Sequence, residues 1–378
     1  MRVQGTRRRK RRALPRGWRM VQSGHSGPGH SGTSGSFIGD PRWFPMDLDK
    51  QTGAIRFADI GPERPTGRDF LDIVSGERIV PEKNLPAAQA LEMVRGNPEP
   101  PRINFIWHTS YCCSTAIAGA IDVPGRNLSL LEPAILVSVA GARREADRQR
   151  RDISWLSDVA FRLLNRPDGQ GAAVTVKPAP VSNYLIGDAA AKTTGKMLFL
   201  YCDCKSFLTA AMRYGENRRR IVRYLFNILY RDEAAAQRWT PESVAELTDL
   251  EIAGLAWQLM IARFDASLKL HGSRAASLDC DAFLENPREV LASIWEFLEL
   301  PGTPEESGLF RDEDFLNRHS KYAGRSFARE ERLAAEKDLS PDLAAEIDKT
   351  AQAVLSQFPQ GAGILPLPRA LATKAHAR

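Results

Sequence analysis

The chain has 378 residues, of which 43% are hydrophobic and 26% are charged, and its formal net charge is +6. This hydrophobic content is enough for one large domain or two smaller ones. No run of 18 apolar residues predicts a membrane-spanning helix. The first 38 residues hold nine of the 52 basic residues and no acidic one, so the rest carries 43 basic and 46 acidic residues. The charge therefore gives no general reason to expect nucleic-acid binding by the body of the protein.

The N-terminal residues are basic and poor in apolar side chains. Six consecutive Arg and Lys residues at positions 7–12 precede a stretch rich in Gly, Ser and His at positions 23–36. Such a composition cannot bury a core, and no apolar stretch follows the basic cluster as a secretory signal requires. We predict that residues 1–36 form a disordered tail, either simply solvated or in weak contact with an anionic polymer. Residues 37–100 are expected to be an irregular extension and residues 361–378 a flexible C-terminal tail.

An α/β rhythm begins at residue 103. Apolar runs predict strands at residues 103–108, 173–177, 197–202 and 277–280. The run at 197–202 is apolar on both faces, which suits the centre of a parallel sheet that helices cover. Helical spacing predicts helices between these strands, including one long helix over about residues 241–271. We expect a three-layer α/β/α domain with a mainly parallel sheet over residues 101–360.

The five cysteines do not indicate a disulfide framework. Their number is odd, and they lie in adjacent pairs or in apolar runs. Cys202 and Cys204 are too close together for the usual C-x-x-C metal knuckle, and a second half is missing. We therefore predict buried free thiols in a reducing cytoplasm.

The stretch from residue 103 to residue 118 predicts a strand, a tight loop and a helix N-terminus. Backbone N–H groups and the positive end of the helix dipole meet there, which favours an anion site. A simple helix N-cap is the alternative. Residues 103–118 contain neither glycine nor lysine, so a Walker A loop is excluded and a nucleoside triphosphatase is disfavoured. The small side chains that would let a phosphate approach are Ser110, Cys112, Cys113, Ser114 and Thr115.

Several separated segments carry a resemblance to a known family. They are FIWHTSYCCST at residues 105–115, LEP at 131–133, VKP at 176–178 with SN at 182–183, and SLD at 277–279 followed by FLENP and IWEFL. In order and spacing they resemble the bacterial branch of the P-loop sulfotransferase superfamily, over about residues 103–357. The resemblance implies a P-loop-containing nucleotide-hydrolase-like fold. It also implies a sulfuryl donor, 3′-phosphoadenosine 5′-phosphosulfate (PAPS), and an acceptor hydroxyl or amine on a small molecule, carbohydrate or peptide.

The resemblance also assigns roles to residues. The loop of Ser110, Tyr111, Cys112, Cys113, Ser114 and Thr115 would hold the 5′-phosphosulfate end of the donor. Glu132 would be the general base and Lys177 the cation on the bridging oxygen, and such chemistry requires no metal. The alternatives are an exposed or N-capping Glu132 and a surface Lys177. Ser182 and Asn183 would either orient the substrate or cap the following helix.

Three positions depart from the family pattern. Tyr111 replaces the usual basic residue of the loop, while Cys202 and Ala210 stand where an Arg and a Ser usually grip the 3′-phosphate. The substitutes expected on the nucleotide side are Lys205 and Thr209. Lys321 belongs to a His-Ser-Lys segment that resembles one closing over the nucleotide. A cluster of arginines further on is a solvated helix face or a cationic rim: Arg218, Arg219, Arg220 and Arg223.

The departures keep two other functions open. One is a nucleotide-binding or partner-binding protein that has this fold but does not catalyse transfer. The other is a P-loop phosphotransferase, which the missing loop lysine disfavours. No specific nucleic-acid partner is expected, and the sequence does not indicate an oligomeric state.

Overall fold

The structure is a computed structural model that describes residues 37–61, 81–96, 98–167, 171–213, 215–232, 240–307, 339–357 and 365–371. The predictions for residues 1–36 and for Lys321 lie outside these residues.

A small antiparallel sheet precedes the main domain. Its strands are β1 (Trp43–Leu48), β2 (Ala54–Asp59) and β3 (Glu82–Pro86), with β2 in the middle. The expectation of an irregular extension was therefore wrong for this part of residues 37–100. Its strands are short and separated by turns rich in Asp, Gly and Thr, which hid their alternation.

The main sheet has five parallel strands. They are β4 (Ile103–His108), β5 (Asn127–Leu131), β6 (Ala173–Lys177), β7 (Met197–Tyr201) and β8 (Ala275–Asp279), in the order β5-β6-β4-β7-β8. Every residue of β4 and of β7 is buried, because helices cover both faces of the sheet. The predicted α/β fold with a central parallel sheet is confirmed, and all four predicted strands are present.

The fifth strand, β5, was not predicted. Two of its five residues are polar, and both are buried. The Asn127 side chain accepts a hydrogen bond from Thr175 at 2.8 Å and donates one to the Ile121 carbonyl at 2.9 Å. The polar atoms are therefore satisfied inside the sheet, which makes a strand possible where the sequence shows no continuous apolar run.

Helices connect and flank the strands. The predicted helix over residues 241–271 is in fact two helices, because Thr248 begins the second one with a capping box to Glu251. A 3₁₀ turn at Pro180–Leu185 follows β6. The α-helices are α1 (Ala87–Val94), α2 (Ser114–Ala120), α3 (Ala134–Arg148), α4 (Trp155–Leu164), α5 (Ile186–Lys192), α6 (Cys204–Arg213), α7 (Glu216–Leu229), α8 (Pro241–Ala245), α9 (Asp249–Leu270), α10 (Cys280–Glu285), α11 (Pro287–Phe297), α12 (Pro304–Ser307) and α13 (Pro341–Ser356). None of these described helices combines the length and apolarity that crossing a membrane requires.

The described part of the C-terminal segment, residues 365–371, packs along the edge strand β8. Ser277 donates its N–H to the Arg369 carbonyl at 3.0 Å and accepts from the Leu371 N–H at 2.9 Å. Leu367 is buried, and its N–H donates to the Tyr201 hydroxyl. The expectation of a flexible tail was wrong for these residues, because they satisfy the exposed backbone groups of an edge strand.

The strand order places the loop after β4 at a switch point. From β4 the chain passes over the position of β6 to form β5, and after β6 it crosses to the other side of β4 to form β7. In open α/β sheets, ligands bind in the crevice at the carboxyl ends of the strands where the order reverses. The ends of β4, β5 and β6 are therefore the place to examine for a site.

The close approach of β4 and β7 depends on Gly195. A Cβ at this position would lie 1.9 Å from the Ile103 carbonyl oxygen and 2.8 Å from the Asn104 nitrogen, both in the backbone of β4. Overpacking that cannot relax is destabilising. We expect Gly195→Ala to lower the free energy of unfolding by about 3 kcal/mol or more, as measured by urea denaturation.

The matched control is Gly187→Ala in α5, where nothing lies within 4 Å of the added Cβ. It should be neutral or stabilising by up to about 1 kcal/mol, because alanine favours the helix. Equal unfolding midpoints for the two variants would contradict this packing.

Candidate functional site

The loop between β4 and α2 has an unusual backbone. Ser110, Tyr111 and Cys113 have φ angles of 74°, 55° and 63°, although none is glycine. Residues that carry a side chain rarely adopt this left-handed backbone conformation, and each one costs on the order of 1 kcal/mol or more of folding free energy. Such strain persists where surrounding contacts enforce it and is concentrated at binding and active sites. The loop is therefore shaped by the fold rather than by its local preferences.

The N-terminus of α2 has no side-chain cap. Cys113 occupies the N-cap position in a left-handed conformation and makes no capping hydrogen bond. Within the described ranges, no carbonyl accepts the N–H groups of Ser114 and Thr115, which belong to the first helical turn. The alternative of a simple N-cap is thus not what the structure has. Two backbone donors and two hydroxyls are grouped at a turn whose geometry suits an anion.

Glu132 and Lys177 form an ion pair at the ends of β5 and β6. Lys177 pairs in register with Leu131, and its carbonyl accepts the Glu132 N–H at 2.7 Å. The Lys177 Nζ lies 2.5 Å from Glu132 Oε1. The lysine side chain is 1% exposed and the glutamate side chain 17%. Lys177 is therefore not a surface lysine, and Glu132 does not cap a helix.

Glu132 directly follows the unpredicted strand β5, which lies between α2 and Glu132. Glu132 also has a positive φ of 47°. The turn at the end of β5 brings its carboxylate across to Lys177.

His108 lies beside this pair, and no role was predicted for it from the sequence. It is the last residue of β4 and is buried. Its Nε2 lies 3.0 Å from the Pro178 carbonyl oxygen and 4.0 Å from Glu132 Oε1, and its Nδ1 accepts the Ser110 N–H at 3.1 Å. The signal in the sequence that could have indicated a role for His108 was its position as the last residue of the central strand, just before the strained loop.

Cys112 is buried under the loop and is not a nucleophile at neutral pH. Its Sγ donates a hydrogen bond to the Leu200 carbonyl at 3.4 Å. Burial raises the pKa of the thiol to about 12, against a weaker opposite effect of Lys177. At neutral pH the group is an uncharged thiol, so it adds no negative charge beside an anion. All five cysteines are free and buried, as the sequence predicted.

A cation reaches the loop from α7. The Arg218 guanidinium lies 5.0 Å from the centre of the Tyr111 ring, and Arg218 Nη1 donates to the Ala210 carbonyl at 3.0 Å. Tyr111 also packs against Phe207 of α6, with ring centres 5.3 Å apart. The sequence alone favoured a solvated helix face for Arg218. The structure instead places it, half-buried, between Tyr111 and Ala210, two of the three positions at which this chain departs from the pattern that it resembles.

The other nucleotide-side candidates are more scattered. Cys202 Sγ lies 3.9 Å from the Ser110 carbonyl. Thr209 is buried, and its hydroxyl has no hydrogen-bond partner among the described residues. Lys205 pairs with Asp348 of α13 at 2.7 Å, and about half of each side chain is exposed. A phosphate contact by Lys205 or Thr209 stays a prediction.

Ser182 and Asn183, which were predicted either to orient the substrate or to cap a helix, lie in the 3₁₀ turn after β6. Asn183 donates to the His108 carbonyl at 3.3 Å and lies in the 3₁₀ turn with Ser182. Both are buried, and neither Ser182 Oγ nor Asn183 Oδ1 has a partner among the residues the structure describes. They make no capping bond in the 3₁₀ turn or in α5.

Comparison with known proteins returns structural neighbours only. No protein-family model and no curated protein sequence matches the chain. The structure is similar to a sulfotransferase domain from the curacin biosynthetic pathway, with 14% identity and a TM-score of 0.38, over 68% of this chain and 97% of that one. A sulfotransferase domain from the olefin synthase of Synechococcus PCC 7002 matches with 12% identity and a TM-score of 0.37, over 68% and 94%.

A sulfotransferase from Alicyclobacillus acidocaldarius matches with 12% identity and a TM-score of 0.36, over 68% of this chain and 93% of its own. The three neighbours are two sulfotransferase domains and one sulfotransferase. The likeness is distant, so the fold is assigned from the strand order alone.

The ion pair predicts a measurable coupling between Lys177 and Glu132. Removing one partner leaves a largely buried charge unpaired, so Lys177→Met should lower the free energy of unfolding by about 3 kcal/mol. Glu132→Gln in the same protein should recover part of that loss, with a coupling of about 1–2 kcal/mol. Urea denaturation of the wild type, both single variants and the double variant measures it. Additive single effects would mean that the two groups do not interact in solution.

Proposed function

We propose that the chain transfers a sulfuryl group from PAPS to a hydroxyl or amine acceptor. The observation that carries this proposal is the Lys177–Glu132 pair, which lies at the carboxyl edge of the sheet beside a strained, uncapped loop. This reaction needs one acid–base group, one cation and a set of hydrogen-bond donors that bind an anion. The motif resemblance supplies the identity of the donor.

Glu132 and Lys177 take complementary parts. As the acceptor attacks sulfur, its proton passes to the Glu132 carboxylate, while the bond between sulfur and the phosphate oxygen breaks. The Lys177 ammonium has three N–H donors, so it can hold Glu132 with one and donate another to the oxygen that gains negative charge. Because Lys177 is nearly inaccessible to water, this charge interaction is stronger than at an exposed site.

The loop holds the phosphate end of the donor. Support comes from the N–H groups and hydroxyls of Ser114 and Thr115, which the described residues leave without a backbone acceptor. The side chains of Ser110, Tyr111, Cys112 and Cys113 shape the approach. On the 3′-phosphate side we assign Arg218 first, with Thr209, Lys205 and Lys321 as further candidates. None of these roles requires a metal ion.

We place this activity in the cytoplasm, since five free thiols suit a reducing compartment. The acceptor is a small molecule, a carbohydrate or a peptide. Neither a specific nucleic acid nor a membrane-spanning segment enters the proposal.

A second candidate is a nucleotide-binding protein that does not catalyse transfer. Cys202 and Ala210 provide no cation for a 3′-phosphate, and the loop lacks its usual basic residue. A transfer assay with radiolabelled PAPS and panels of hydroxyl and amine acceptors separates the two candidates. Binding of the donor without transfer to any acceptor would favour the second.

The catalytic assignment predicts a split between kcat and affinity. Glu132→Gln should lower turnover with little change in the affinity for adenosine 3′,5′-bisphosphate, because a base contacts the acceptor rather than the nucleotide. Lys177→Gln should lower turnover by about 10²–10³, the usual loss for an electrostatic stabiliser. Steady-state kinetics together with calorimetric titration of each folded variant measures both quantities. Full activity in Glu132→Gln would exclude Glu132 as the base.

Arg218 should matter more than its neighbours on α7. Arg218→Gln should weaken binding of adenosine 3′,5′-bisphosphate by about tenfold, because a charge-assisted hydrogen bond contributes about 1.5 kcal/mol or more. Arg220→Gln is the matched control, since Arg220 is exposed and pairs only within its helix with Glu216 among the described residues. Equal losses in the two variants would indicate a diffuse charge effect rather than a contact.

A further inference from the structure

The His108 ring links two parts of the candidate site. The Ser110 N–H can only donate, so the Nδ1 that it reaches at 3.1 Å is unprotonated. The Pro178 carbonyl can only accept, so the Nε2 at 3.0 Å from it carries the proton. The partners therefore fix a neutral ring with the proton on Nε2. One side of the ring holds the strained loop and the other holds the chain directly after Lys177.

This link acts where the backbone needs support. Ser110 is the first positive-φ residue of the loop, and its N–H is occupied by the ring rather than directed at an anion. The Thr109 N–H is likewise occupied, by the Leu200 carbonyl at 3.2 Å. The Asn183 side chain holds the His108 carbonyl from the 3₁₀ turn. The loop thus leaves β4 at an angle that these contacts set before any ligand arrives.

Charged and titratable groups surround the ring unevenly. From the end of β5, Glu132 Oε1 lies 4.0 Å from Nε2, and from the end of β6 Lys177 binds that same oxygen. The Cys112 thiol of the loop is kept neutral by burial. On β7, the residue paired with His108 is the apolar Leu200. Protonation of Nδ1 would place an N–H against the Ser110 N–H and a positive charge beside the Lys177–Glu132 pair.

We propose that His108 is the positioning residue of the anion-binding loop, acting through the bond from the Ser110 N–H to its unprotonated Nδ1. This inference rests on the proposed function, in which that loop holds the phosphate end of a nucleotide. His108 does not act as the base, because its Nδ1 is already occupied by Ser110.

Two substitutions separate the two ends of the ring. His108→Asn keeps an acceptor near the position of Nδ1 and removes the donor to Pro178. His108→Gln keeps a donor near the position of Nε2 and removes the acceptor for Ser110. Each variant is titrated with adenosine 3′,5′-bisphosphate by calorimetry at pH 8.0, and its thermal unfolding is recorded under the same conditions.

The two variants should differ in their affinity for the bisphosphate. His108→Gln should bind the bisphosphate about tenfold more weakly at pH 8, since one hydrogen bond that sets the loop is lost. His108→Asn should bind within about threefold of the wild type at pH 8 even where its melting temperature is lower. If affinity instead falls in step with the melting temperature in both variants, His108 has only a structural role and the proposal is wrong.

A measurement without nucleotide distinguishes this inference from the proposed function. The chain has six histidines, so long-range ¹H–¹⁵N spectra of histidine-labelled protein contain signals from only a few rings. The signal that disappears in His108→Asn is that of His108. At pH 8 we expect an unprotonated Nδ1 and a protonated Nε2. The opposite tautomer overturns the inference whatever binds. The expected tautomer, together with no binding of the bisphosphate by the wild type, overturns the proposed function and with it the role of His108 in binding.

Discussion

The buried contact between Lys177 and Glu132 depends on two parallel strands ending side by side. Leu131 and Lys177 face each other in register, so the chain leaves β5 at the same level at which β6 ends. An ammonium that is 1% exposed would be costly without a partner, and the turn at Glu132 supplies one. A shift of one residue in the register of β5 would separate the two charges. The ion pair at this edge of the sheet is therefore a consequence of strand pairing.

The remaining parts of the site are held around this pair by separate elements. β4 ends at His108, whose ring braces the strained loop against the exit of β6. α7 brings Arg218 over Tyr111 from the other side. Three left-handed residues in one loop cost free energy that the surrounding contacts must offset. That cost is understandable if the loop is preorganised for an anion, because preorganised donors need no rearrangement on binding.

The sequence predicted those features that follow from local composition. The fully apolar run of β7 indicated a central strand. The motif resemblance named the loop, Glu132 and Lys177 as parts of one site. The sequence did not predict β5, because the Oδ1 of the buried Asn127 accepts its hydrogen bond from Thr175, which lies 48 positions away in the sequence. No role was predicted for His108, and Arg218 was predicted to lie either on a solvated helix face or on a cationic rim. The contacts of His108 with Pro178 and of Arg218 with Tyr111 form only in the folded chain, because these residues are distant in sequence.

Binding of the donor nucleotide to the loop is the central claim, and it can be measured without knowing the acceptor. The most direct measurement is calorimetric titration of the full chain at pH 8 with adenosine 3′,5′-bisphosphate, the product that remains after transfer. We expect saturable binding of one nucleotide per chain, with clearly weaker binding of adenosine 5′-monophosphate. The absence of saturable binding of the bisphosphate to protein that unfolds cooperatively would contradict both the anion-binding loop and the proposed transfer.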